Sequence, residues 1–329
     1  MVNVIEIKTC MPYDALFTDY EKASAQPLSE IDTPSLVTCV VAYKDDVPSG
    51  RLCIYQNTHL RYREAPVLLF GNYDCTDDIA VSNALLAYVE AVAREKNIPF
   101  VVGPVSGNTW NSYRQPVKGA KAVFTGDLQQ PLIYKNLIEH AGYAVMHSYY
   151  SAIADIAFAE LPDEEALKKL ESSGITIRGI DVTNYEEELK KIYKLCEVAF
   201  PGNVLFSHIS EDEFLQKYLP FKSIITSDFV LLAEQDDEII AVFFAYPDLL
   251  ALPQKRLVIK TMARHPQRKV KDLVSTMIKI LYSNAAEKGY DKIVHAFMHE
   301  DNRSRELSQQ YEGDVVREYV VYIKRVPGE

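Results

Sequence analysis

The sequence predicts an α/β protein built as two tandem copies of one mixed-sheet unit. Three observations predict it. The chain has 329 residues, and at about 150 residues per domain that length makes two domains. Its charge divides evenly: residues 1–160 hold 12 basic and 18 acidic side chains and 161–329 hold 23 and 28, so −6 and −5 make up the net −11. The same order of strands, helices and turns then recurs at a nearly constant offset, the signature of a duplicated unit.

In the first half Pro66 to Phe70 reads as a buried strand and Gly71 to Asp78 as a loop. Val81, Leu85, Tyr88, Val89 and Val92 follow as one face of a helix. Asn97 ends that helix in the left-handed cap that asparagine tolerates, and Pro99 to Val102 is a second buried strand. In the second half Arg256 to Lys260 is the strand, Thr261 to Lys271 the loop and Asp272 the helix N-cap. Leu273, Met277, Ile280, Leu281 and Ala285 form the helix face, Gly289 closes it, and Lys292 to Phe297 is the second strand. Asn97 and Gly289 stand 192 residues apart, and the flanking strands keep that offset within two residues. Two strands bracketing one helix form a crossover, so each half should contain a parallel pair.

A hairpin precedes each crossover: Ser35 to Tyr43 with Ser49 to Tyr55, and Asp228 to Glu234 with Ile239 to Tyr246. A short helix, a glycine and a last strand follow each: Asn136 to Gly142 before Tyr143 to Ser151, and Arg305 to Gly313 before Val315 to Lys324. The polar segment Leu161 to Gly174 reads as the linker (161–174) between a domain 1–160 and a domain 175–329.

Composition excludes several classes. A hydrophobic fraction of 48% with 25% charged residues is globular and neither disordered nor a disulfide scaffold. Apolar runs such as Ile239 to Tyr246 are strand length, too short to cross a bilayer. Met1 to Asp14 lacks a basic region followed by an apolar core, which argues against a secretion signal and for a cytoplasmic protein. Five cysteines without ligand spacing read as free thiols. The acidic balance argues against nucleic acid as a partner.

A hairpin, a strand–helix–strand unit, then a helix and final strand, preceded by Ile175 to Arg178 and the helix Tyr185 to Phe200, resembles the GNAT (GCN5-related N-acetyltransferase) fold. Asn302, eleven residues before Gly313, stands where that family has a late asparagine. The whole chain resembles bacterial proteins carrying two GNAT-like domains. The resemblance implies an N-acyltransferase that takes acetyl-CoA or another acyl-CoA and acts on a small-molecule or peptide amine, with no metal. It further implies a Gln/Arg-x-x-Gly-x-Gly/Ala loop whose amides and helix start hold the pyrophosphate. Here the loop is Pro266-Gln267-Arg268-Lys269-Val270-Lys271-Asp272, with Val270 and Asp272 at the glycine positions. Against that departure, Lys255 to Lys271 holds seven basic residues and no acidic one. The corresponding first-half loop, Gly71 to Asp78, carries three aspartates, and no basic residue occurs between Arg63 and Arg94. Carboxylates repel a pyrophosphate, so the second half is the candidate coenzyme domain.

On that resemblance Gln267, Arg268, Lys269 and Lys271 would meet phosphates. Met262 and Ala263 would line the pantetheine by backbone, and Asn302 would assist near the thiol. Glu300, or His299, at the end of the second strand, is the candidate base. Gln309 replaces the family's tyrosine acid. A second polar concentration, Gly103 to Arg114, follows the first half's parallel pair, where α/β folds place ligands. Its Asn108, Trp110, Tyr113 and Arg114 suit stacking and bidentate recognition of a carboxylate, and read as substrate-binding. His295, His299 and Glu300 lack a metal-site spacing. Two rival readings stand beside the acyltransferase. One is a GNAT fold that lost coenzyme A and binds a small ligand or partner; the other is a Fem-type aminoacyltransferase.

Overall fold

A computed structural model describes residues 4–11, 30–158, 160–251 and 253–328. The stretch 12–29, where the first copy's opening helices are expected, and the ends of Met1 to Asp14 lie outside the described residues.

In the first copy β1 (Ile5–Cys10), β2 (Leu36–Lys44) and β3 (Val47–Tyr55) run antiparallel. Asp45 and Asp46 turn between β2 and β3 at φ 51° and 64°, the left-handed pair that a tight hairpin turn requires. A short β4 (Arg61–Tyr62) pairs with β5 (Ala65–Cys75), helix α1 (Ile79–Glu95) crosses over, and β6 (Phe100–Gly103) lies parallel to β5. Then come β7 (Gln115–Lys118), α2 (Tyr134–His140) and β8 (Ala144–Asp155).

The second copy repeats the order. Helix α3 (Glu164–Ser172), β9 (Ile175–Gly179), α4 (Tyr185–Ala199) and α5 (Glu211–Tyr218) lead to the hairpin β10 (Val230–Gln235) and β11 (Glu238–Pro247). Its turn uses Asp236 and Asp237 at φ 54° and 62°. Strand β12 (Arg256–Arg264), α6 (Leu273–Glu287) and β13 (Lys292–His299) form the parallel crossover, before α7 (Arg303–Gln310) and β14 (Asp314–Arg325).

Two local expectations need correction. The segment read as linker folds as α3, with the Asp163 side chain capping the Glu165 amide and Leu170 buried in the second copy's core. The loops expected at Gly71 and Thr261 begin later. Strands β5 and β12 run on because their outer edges stay paired with the preceding hairpin strand, Gly50 opposite Cys75 and Ala241 opposite Arg264.

The larger surprise is connectivity. Among the described residues all but two of the strands lie on one continuous path, β1-β2-β3-β5-β6-β14-β8-β13-β12-β11-β10-β9. Each copy's last strand completes the other's sheet. Strand β14 pairs with β6, placing Tyr322 opposite Gly103, and β8 pairs with β13, placing Asp155 opposite Lys292. The exchanged strands also pair with each other. Where two domains joined by a linker were expected, one sheet runs through both copies.

In the second copy, side-chain alternation assigns the two faces. Helix α6 covers Leu257 and Ile259, while α4 and α5 cover Val258 and Val242 on the other side. All five cysteines are buried, and none is in a disulfide. Among the described residues no helix is long and apolar enough to cross a membrane.

Candidate active site

Strands β12 and β13 pair only from Arg256–Ile259 to Lys292–His295. Beyond that both strands break register. The β11 ladder passes from Ile259 to Thr261, so Lys260 is a bulge residue. On β13 the ladder to β8 skips from His295 to Met298, and Phe297 takes φ 57°. Bulges bend a strand and re-aim its side chains. Here they open a wedge whose edges are the backbones of residues 260–263 and 296–298. Lys260 turns toward α5, where its Nζ donates to the Tyr218 hydroxyl at 3.1 Å. Met262 packs on the α6 side and Ala263 is buried on the α4–α5 side.

The first copy's wedge is filled. Strands β5 and β6 pair over Val67–Leu69 and Phe100–Val102. The chain after β6 then folds back between them: Val105 donates its N–H to Phe70 O at 2.7 Å, and Asn72 donates to Ser106 Oγ at 3.2 Å. Gly71 makes that closure fit, since a Cβ there would stand 2.6 Å from Ser106 Cα.

The helix starts differ in the same sense. Asp78 accepts from the Ala80 and Val81 amides and pairs with Lys44, so its own carboxylate fills the anion position of α1. The Lys44 ammonium, ahead of those amides, holds the Asp78 carboxyl below its ordinary range. Asp272 occupies the corresponding position of α6 but caps nothing: it sits at φ 62° with no side-chain bond to the helix. The expected side-chain cap is therefore absent, because a left-handed backbone aims the carboxylate away from the first-turn amides. Gln267, Lys269, Lys271 and Asp272 are exposed around this start. Arg268 is tied elsewhere, 3.3 Å from Gln235 Oε1 and within 3.7 Å of Asp236 and 3.5 Å of Glu238. Val270 packs against the core.

The 103–114 loop joins the copies. Asn108 Oδ1 accepts from the Trp110 and Asn111 amides, which shapes the turn. Trp110 reaches into the second copy: Nε1 donates to Ser207 O at 2.9 Å and the ring meets Phe200, Phe206 and Phe214 at 5.7 to 6.1 Å. Tyr113 stands edge-on to Tyr149. Arg114, at φ 80° and 8% exposed, lies between aromatic rings, with its guanidinium 3.9 Å from the Tyr113 centroid and 4.1 Å from that of Phe297.

At the end of β13, Glu300 Oε1 accepts from the Ser148 amide at 3.1 Å and lies 3.5 Å from His147 Nδ1. His147 and His299 face each other at 3.2 Å, and the ligand atoms of His147, His299 and Glu300 all lie within 4.8 Å of one another. Asp301 N–H donates to His299 Nδ1, which leaves the His299 proton on Nε2 for His147 to accept. A cation at His299 Nε2 would need the opposite tautomer. Burial, then the neighbouring His147, pushes His299 below the ordinary imidazole range, so it stays neutral at pH 7. His295 belongs to another environment, buried between the Tyr282 hydroxyl and Ser308 Oγ. Asn302 is exposed at the N-cap of α7, donating its N–H to His299 O.

Of the residues read as coenzyme-binding, Met262 and Ala263 lie along the wedge and Gln267, Lys269 and Lys271 at the start of α6, while Arg268 is diverted and Asn302 stands at a different helix start, that of α7. Of the residues read as substrate-binding, Arg114 packs on Phe297 and Trp110 on Phe200, Phe206 and Phe214, while Asn108 shapes their loop. Sequence reasoning missed two neighbours. His147 is brought by the exchanged β8, 152 residues from His299 in sequence, and Lys260 is aimed by a bulge.

No protein-family model matches the chain. A bacterial ceramide synthase from Caulobacter vibrioides is 24% identical over 190 residues, which are 55% of this chain; the match spans about half (47%) of that protein's length. A GCN5-related N-acetyltransferase from Sphaerobacter thermophilus superposes with a TM-score of 0.51 at 12% identity, over 95% of this chain and 86% of that one. A tandem GNAT protein from the clavulanic acid biosynthesis pathway gives 0.53 at 9% identity, over 99% and 100%. At such identities the likeness speaks for architecture, and it agrees with the twice-repeated crossover: the chain has the tandem GNAT fold.

Proposed function

We propose that the chain is an acyl-CoA-dependent N-acyltransferase acting on a small-molecule or peptide amine, and that its second copy, residues 175–329 closed by β8, holds the thioester. The observation that carries this reading is the wedge between β12 and β13, where the parallel pairing stops at Ile259 and His295, while the first copy's wedge is closed by its own loop. The match to an enzyme named for ceramide synthesis supports amide formation.

The free edge at Met262 and Ala263 would hydrogen-bond the pantetheine as an added strand does. The first-turn amides of α6, left free by Asp272, would meet the pyrophosphate with Lys269 and Lys271. Gln267 borders the same site. On the α4–α5 side the acceptor amine attacks the thioester carbonyl carbon. A C–N bond forms, the C–S bond breaks, and the thiolate leaves with coenzyme A. The amine's proton passes to Glu300, which uses one oxygen on the Ser148 amide and keeps the other for the proton. Asn302 would stand beside the departing thiol. Little more than positioning is asked of the protein.

Calorimetric titration of acetyl-CoA and longer acyl-CoAs tests the reading. The wild type should bind, and a Lys269→Ala/Lys271→Ala variant should bind at least tenfold more weakly. Absence of binding by the wild type would remove the enzyme reading; equal binding by the variant would move the phosphate site.

A further inference from the structure

Arg114 is buried, with 8% of its surface exposed, yet no carboxylate pairs with it directly. Its Nε donates to Tyr113 O at 3.2 Å, and its Nη1 is buried without a hydrogen-bond partner. Among the described residues no carboxylate lies within 4.0 Å of it. One buried acid, Asp127, feels the Arg114 charge through space, but its direct contacts are taken: Arg317 Nε lies 2.6 Å from it, and it accepts from the Tyr319 hydroxyl and the Leu128 amide. Glu300, the other acid of this region, faces His147 and Ser148. What surrounds the guanidinium is aromatic: Tyr113 at 3.9 Å, Phe297 at 4.1 Å and Tyr149 at 5.0 Å. Rings attract a cation but leave its N–H groups unsatisfied. The backbone is also strained, since a non-glycine φ of 80° is costly and such strain gathers at ligand clamps. An unpaired buried charge held in a strained turn destabilises the fold, which makes an anionic ligand the economical explanation.

Location says which ligand. Phe297, packed against Arg114, is the residue at which β13 breaks register and the wedge opens. We infer that Arg114 anchors a carboxylate carried by the acceptor, so that the acceptor is amino-acid-like, with an amine to acylate and a carboxylate to hold it. This rests on the acyl-transfer reading for the amine and on Arg114 alone for the carboxylate. A guanidinium fork presents two N–H groups to a carboxylate in plane, which a lysine cannot do.

The test uses the full chain and two probes, N-octanoylglycine and N-octanoylglycinamide, which differ only in the carboxylate; Trp110 fluorescence and calorimetry read binding. The wild type should prefer the acid at least tenfold. Arg114→Met should lose that preference while melting no lower than the wild type, because it removes a buried charge that no carboxylate pairs directly; should it fail to fold, Arg114→Lys should lose most of the preference instead. Equal binding of acid and amide by the wild type, or a preference retained without Arg114, overturns the inference. Thiol release from octanoyl-CoA then separates the two claims. Glycine favoured over ethylamine supports both. Equal transfer to the two amines overturns the anchor and leaves acyl transfer standing. No transfer to any amine, with the acid still preferred in binding, removes acyl transfer and leaves the anchor.

Discussion

Asp78 and Asp272 occupy the same position in the two copies, the start of the crossover helix, and do opposite things. The Asp78 side chain accepts from the Ala80 and Val81 amides, whereas the Asp272 side chain, on a residue at φ 62°, caps no amide of its helix. One carboxylate closes the start of its helix and the other leaves its helix start uncapped.

Replacing each separates the roles. Asp78→Ala should cost about 1 kcal/mol in chemical denaturation, the usual worth of an N-cap, and leave acyl-CoA binding unchanged. Asp272→Gly should tighten acyl-CoA binding roughly fivefold in calorimetry, because it removes a like charge worth about 1 kcal/mol near the pyrophosphate and accepts the left-handed φ without strain.

Glu300→Gln keeps the size of the side chain and an oxygen for the Ser148 amide but cannot take a proton. Turnover with a saturating acyl-CoA should fall by about two orders of magnitude, the low end for general-base loss, with acyl-CoA affinity unchanged. Unchanged turnover would assign the proton elsewhere.

Trp110 holds the copies together on the α4–α5 side. Trp110→Ala should destabilise by about 3–5 kcal/mol through the cavity it leaves. Trp110→Phe should cost about 1 kcal/mol for the lost bond to Ser207 O. Urea denaturation of both measures the split.

His295 supplies a pH dependence. Burial lowers its pKa to about 4, against about 6.5 unfolded. The folded value lies below the unfolded one, so the full contribution is present above pH 6.5 and is lost as pH falls toward 4, amounting to about 3 kcal/mol. Denaturation midpoints between pH 7 and 4 should therefore fall steeply in the wild type and less in His295→Gln, which cannot gain the proton.

The repeat was legible because its signals are local. Hairpin turns at Asp45–Asp46 and Asp236–Asp237, the caps at Asn97 and Gly289, and helical spacing all arise from neighbours in sequence. What was not legible depends on partners far along the chain. Strand β8 shows the same alternation whichever strand it joins, so nothing in Ala144 to Asp155 reveals that it pairs with β13. His147 had no spacing to mark it for the same reason. Helix α3 was misread because its exposed Glu and Lys side chains outweighed the single buried Leu170. The wedge itself comes from bulges at Lys260 and Phe297, and a bulge changes register without changing composition.

The exchanged strands set a timetable for synthesis. Gly103 finds its neighbour at Tyr322, 219 residues later, so a ribosome must finish almost the whole second copy before the first can close its sheet. Until then the β6 edge, apolar and bare, is a template for any strand that arrives first. At high concentration that strand can belong to a second nascent chain, and two molecules then trade β14 with each other. Slow, crowded expression should yield interlocked dimers of otherwise native halves.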